Sequence, residues 1–146
     1  AAEPVGGIRV RYTEDGKQIP IGNGGVTPRY YWTQTVTEAT VYVDVPEGTR
    51  SKDVTCSIEP RRLKLEVLGA GDIAEKNTTR ESVGGREGNE KYVIIDGELP
   101  TAVSRDDSMW SLNDGNTVVI FLEKSKRSWW ESVVKGDPEI DTTKVR

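Results

Sequence analysis

Histidine is absent from this 146-residue chain, and cysteine, methionine and phenylalanine occur once each. The missing histidine removes the commonest general base and the commonest metal ligand together. A single cysteine, Cys56, rules out an internal disulfide and fits a reducing compartment such as the cytosol. No run approaches the roughly 18 apolar residues of a membrane span, and no apolar stretch opens the chain. Neither sign of charge dominates. The 20 basic and 24 acidic residues are interspersed at a net charge of −4, without the basic footprint of a nucleic-acid binder. Only 34% of residues are hydrophobic and 30% are charged, with 15 glycines, so part of the chain is expected to lie unpacked around one domain.

What is present is organised by alternation. Residues 1–29 are polar and punctuated by Gly6-Gly7 and Gly22-Asn23-Gly24-Gly25, and read as a flexible leader whose removal through residue 20 barely moves the melting temperature. From residue 30 to 146 a β-sandwich domain is expected. In Thr40–Val45 the valines share one face; Val54, Cys56 and Ile58 do the same, as do Leu63, Leu65 and Val67 against Arg62, Lys64 and Glu66. Pro46-Glu47-Gly48 and Pro60-Arg61 supply turns. Tyr92–Ile95 and Val118–Leu122 are apolar on both faces and read as central strands covered on each side, with a bulge or bend at Gly97. The long polar stretch 69–91 has little to bury and reads as a mobile loop. Asp114-Gly115 between two strand-like runs signals a tight hairpin, because a type I′ turn needs two residues at positive φ. Ser128 with Glu131 has the spacing of a capping box, and Gly136 with Pro138 that of a stop, so a short helix carrying Trp129 and Trp130 is expected there. The fold class is therefore all-β, a seven-stranded antiparallel β-sandwich with a short C-terminal helical turn.

Laid out this way, the sequence resembles the nuclear distribution protein C (NudC) family and its CS domain. The matching residues are Gly22-Asn23-Gly24, Tyr30 through Thr35, Val43 through Thr49, and Ile94 through Leu99. Ser108-Met109-Trp110, Asp114-Gly115, Leu122-Glu123-Lys124, Trp129-Trp130 and Gly136 through Thr142 follow in order. The resemblance implies a CS/HSP20-like sandwich without enzymatic activity or cofactor. It further implies a cytoplasmic chaperone or co-chaperone that binds client proteins, β-propeller proteins among them. Contact with the 90-kilodalton heat-shock chaperone and with dynein regulators, in support of nuclear migration, belongs to the same expectation. So does a monomer, since the upstream coiled coil of longer family members is not in this chain. The 69–91 stretch departs from the family pattern by its length.

Against the residues themselves, a chaperone-type binding module stands first and a static adaptor docking one native partner second; a carbohydrate-binding sandwich is disfavoured by the cytosolic character. The candidate partner-binding residues are Tyr31, Arg61, Arg62, Lys64, Lys124, Arg127, Trp129 and Trp130, combining basic side chains on a wet strand with exposed aromatics. Trp32, Tyr30 and Trp110 are assigned to the core, and Trp110→Ala is expected to cost roughly 3–5 kcal/mol. Cys56 alternates inward and lacks a histidine to activate it. Asp106-Asp107 and the pair Asp96 and Glu98 fit no calcium-loop or glycosidase pattern, and the glycine pairs lack the Gly-Lys-Ser/Thr ending of a phosphate loop.

Overall fold

The computed structural model describes residues 9–69 and 91–146. Among them are seven strands: β1 Tyr31–Gln34, β2 Glu38–Asp44, β3 Val54–Glu59, β4 Arg62–Leu68, β5 Lys91–Glu98, β6 Val103–Asn113 and β7 Thr117–Lys124. They form two antiparallel sheets, one in the order β1-β2-β7-β6 and one in the order β3-β4-β5. The alternation in the sequence sets the two faces of each strand. Val41 and Val43 of β2, Leu63, Leu65 and Val67 of β4, and Val118, Ile120 and Leu122 of β7 are all fully buried between the sheets. Asp114 and Gly115 both take positive φ, and the Asn116 N–H closes the turn on the Asn113 carbonyl at 3.1 Å, making the expected β6–β7 hairpin.

Four features differ from the sequence reading. First, the chain from Lys17 to Arg29 is docked and is not a flexible leader. Gln18 is buried and runs beside Ile140; its side chain holds the Val26 N–H and C=O at 2.9 and 2.7 Å. Residues 22–27 then line the free edge of β1, with bonds between Gly25 and Trp32 in both directions and one from Gln34 N–H to the Gly22 carbonyl. Glycine is required at position 24, where a Cβ would sit 1.9 Å from the Trp32 carbonyl oxygen. The expected leader residues 1–8, and the 69–91 loop apart from its two ends, lie outside the described residues.

Second, no helix forms over 128–136. Its N–H groups are spent on distant partners: Ser128 on the Val36 carbonyl, Trp130 on the Gln34 side chain, Lys135 on the Glu98 carbonyl. Glu131 cannot close a capping box because its carboxylate accepts from Lys17 Nζ at 2.7 Å. Without a helix, Trp129 is left 37% exposed and Trp130 1% exposed, with both rings flanking the Lys124 ammonium. The helical turn near the C-terminus is instead a 3-10 segment at Thr142–Lys144, capped by the Asp141 side chain.

Third, β5 is an edge strand, and its bulge falls at Ile94. Leu65 pairs with Ile95 and Glu66 with Val93, so Ile94 is the extra residue, and both isoleucines turn inward. Gly97 stays in register with Leu63 and leaves space for Val134, whose Cβ would lie 2.8 Å from a Cβ at that position. Fourth, Trp110 is half-buried at the margin of the core, beside Cys56, Ile58 and Met109 in an open groove between β3 and β6.

Candidate functional site

The eight residues picked from the sequence do not converge. Arg62 and Lys64 lie on the outward face of the three-stranded sheet, where Arg62 pairs with Asp96 at 2.7 Å and Lys64 with Glu66 at 3.9 Å. Their in-register outward neighbours on β3 and β5 include Glu59, Asp96 and Glu98, so this face is mixed in sign and gives no basic surface. Such exposed pairs contribute about 0–1 kcal/mol. Arg61 sits in the β3–β4 turn and Arg127 in the exposed loop after β7.

Lys124 and Trp130 are buried and cannot meet a partner directly. The Lys124 ammonium donates to Gln34 Oε1, the Thr35 carbonyl and the Ser128 carbonyl at 2.7, 2.8 and 2.6 Å. It lies 5.2 Å from the Trp130 ring and 5.7 Å from the Trp129 ring. Burial pushes its pKa down to about 8. Gln34 completes the knot: its amide donates to the Asn23 and Trp130 carbonyls, and its oxygen also accepts from the Trp130 N–H. These groups clamp the C-terminal segment onto the end of the sandwich, which is a structural task.

Tyr31 leads to a different surface. It lies on the outward face of the four-stranded sheet, stacked on Tyr42 with ring centroids 4.8 Å apart and planes 10° from parallel. The register continues the stripe: Tyr42 opposes Val119, Thr40 opposes Phe121, and Phe121 opposes Met109 on β6. Tyr31, Tyr42, Val119 and Phe121 are half-buried and Met109 is 62% exposed. Partial burial, then Asp44 and Tyr42, push the Tyr31 phenol pKa up. Sequence reading missed this stripe because β7 is apolar at every position from Val118 to Leu122, which also fits a strand covered twice. The available signal was Tyr42, which alternates with the buried valines of β2. A sheet presenting tyrosines, a valine, a phenylalanine and a methionine on a rigid frame can bind a protein surface.

Chemistry of another kind finds little support. Burial pushes the Cys56 thiol up to about 12, so the nucleophilic thiolate is scarce near neutral pH. Among the described residues no group of three or more Cys, Asp or Glu side chains is placed to hold a metal ion. No helix among them is long and apolar enough to cross a membrane.

Fold and surface together define a β-sandwich whose outward sheet face is suited to protein contact. The sequence matches the CS domain family over residues 28–124, and the chain belongs to that family. It is 36% identical over 90% of its length to Protein BOBBER 2 of Arabidopsis thaliana, covering 39% of that protein. It is 34% identical over 91% of its length to the nuclear migration protein nudC of Drosophila melanogaster, covering 35% of it. The chain thus spans well under half the length of these relatives. The solution structure of the CS domain of human KIAA1068 protein superposes with a TM-score of 0.63 at 27% identity, covering 82% of each chain.

Proposed function

We propose that this chain is a non-enzymatic chaperone-type binding module of the nuclear movement family, and that it engages client proteins through the outward face of the four-stranded sheet. One observation carries the reading: the stripe Tyr31–Tyr42–Val119–Phe121–Met109 is largely apolar, half-buried except for the exposed Met109, and held on strands fixed by core packing below. Weak reversible burial of such a stripe needs no nucleotide. Each apolar contact contributes at about 25 cal/mol per Å² removed from water, so a few side chains suffice for transient capture. The names of the relatives, nuclear migration and nuclear movement proteins, support a role in nuclear migration. We place that role in the cytoplasm and link it to dynein, with β-propeller proteins and the 90-kilodalton heat-shock chaperone as partners to test.

The test is light scattering from a thermally unstable client heated with a molar excess of the domain. Suppression is expected, and it should be lost in a Phe121→Asp variant that still melts cooperatively. Unchanged scattering with the native domain refutes holding activity. Saturable binding to a native partner, without suppression, would instead establish the static adaptor.

A further inference from the structure

We propose that this sheet face takes a basic, apolar-flanked extended segment of a partner protein, with a guanidinium or ammonium group seated between Glu38 and Glu123. The inference rests on reading that face as the binding surface and adds the chemistry of the occupant.

Glu38 on β2 and Glu123 on β7 are directly opposite one another. Opposed residues of an antiparallel pair hold their Cβ atoms about 4.5–5.5 Å apart, and like charges in that position oppose folding. Glu123 Oε2 is also buried without a hydrogen-bond partner among the described residues. The Glu123 backbone N–H is satisfied separately, by Ser108 Oγ at 3.0 Å, so the local strand geometry does not need the carboxylate. The neighbouring cation, Lys124, points inward and spends its ammonium on Gln34, Thr35 and Ser128. No ion pair within 4.0 Å joins Glu38 or Glu123 to a described lysine or arginine. Two opposed carboxylates, one with an orphaned oxygen and neither paired with a described lysine or arginine, are complementary to a cation from outside.

The rest of the face agrees in sign. Its in-register outward positions on β2 and β7 are Glu38, Thr40, Tyr42 and Asp44, and Thr117, Val119, Phe121 and Glu123. Tyr31 and Thr33 follow on β1, and Ser104, Met109, Ser111 and Asn113 on β6, Ser104 opposite Glu123. Three carboxylates stand among them, with no lysine or arginine. Asp44 lies six residues along β2 from Glu38, roughly 20 Å at strand rise. The apolar stripe fills the interval. The complementary ligand is therefore an extended segment of about seven residues with a basic group at each end and aliphatic side chains on one face between them.

The probe is a blocked heptapeptide alternating leucine, valine and threonine between two terminal arginines, compared with the same peptide ending in glutamines. Amide chemical shifts and titrations at low and high salt report site and affinity. The arginine peptide is expected to shift Thr40, Tyr42, Val119 and Phe121 and to bind at least tenfold tighter than the glutamine peptide. High salt should erase that advantage, as should the combined E38Q and E123Q substitutions, while E123Q alone raises the melting temperature. Equal binding of both peptides on this face overturns the cation seat and leaves the binding surface standing. Shifts confined to the three-stranded sheet, or no binding by either peptide, overturn both. A lower melting temperature in E123Q with unchanged arginine-peptide affinity shows that the carboxylate serves the fold, and overturns the seat.

Discussion

Replacing Gln34 by alanine should cost about 3–5 kcal/mol, although the residue is polar. Its side chain makes four hydrogen bonds in a site where the residue is only 5% exposed. Truncation orphans the Trp130 N–H and takes one of three acceptors from the Lys124 ammonium. An unsatisfied buried donor costs about 1–3 kcal/mol, and more when charged, while the two carbonyls that lose a donor add less. Total stabilities of about 5–15 kcal/mol make this a large fraction. Urea denaturation followed by tryptophan fluorescence is a direct assay, because Trp130 sits on the lost bonds and Trp129 beside Lys124. The midpoint should fall with an unchanged slope, whereas Ser111→Ala on the exposed face should stay within about 0.5 kcal/mol. A Gln34→Ala loss below about 1 kcal/mol would refute the claim that this knot fastens the C-terminal segment.

Lys124 should make stability rise with pH from about 8, a trend that the buried Cys56 thiol opposes once pH passes its ordinary value near 9. Burial lowers the Lys124 pKa from 10.5 to about 8, so between those values the unfolded chain holds a proton that the fold has released. The Lys124 contribution alone approaches about 3 kcal/mol, and Lys124→Met should remove it, leaving stability level or falling over this range; an identical slope in that variant defeats the assignment. Deleting residues 1–20 removes four hydrogen bonds centred on Gln18. It should lower the melting temperature by roughly 10 °C, and a shift under about 2 °C would mean that the docked segment contributes nothing. Trp110→Ala should cost about 1–3 kcal/mol, less than a core tryptophan, because the ring is half-buried at the groove; calorimetry giving more than about 4 kcal/mol would place it in the core.

The sequence made the strands and their faces legible because alternation is local: the buried valines of β2 and leucines of β4 announce which side each strand turns inward. The Asp114-Gly115 hairpin was equally readable, since positive φ selects its own residues. What stayed hidden depends on contacts far apart in the chain. Gln18 looks like loop until Ile140 lies beside it, and the Ser128–Glu131 spacing looks like a capping box until Val36 and Lys17 claim its groups. The same limit explains the basic candidates. Lys124 ends an apolar run and looks exposed from its charge, but three acceptors from separate segments converge on it. Tyr31 was the one candidate that lies on the stripe, and its stacking partner Tyr42 was passed over.

The treatment of the strand borders bears on the company this domain keeps. Residues 22–27 close off β1, while Arg29 and the Lys135 N–H cap carbonyls along β5. At the opposite seam β6 departs from its pairing between Ser104 and Met109, which breaks the straight run a neighbouring copy would copy. A molecule blunted on these margins gives a second copy little straight backbone to add to, and so does not become the seed from which a fibril grows.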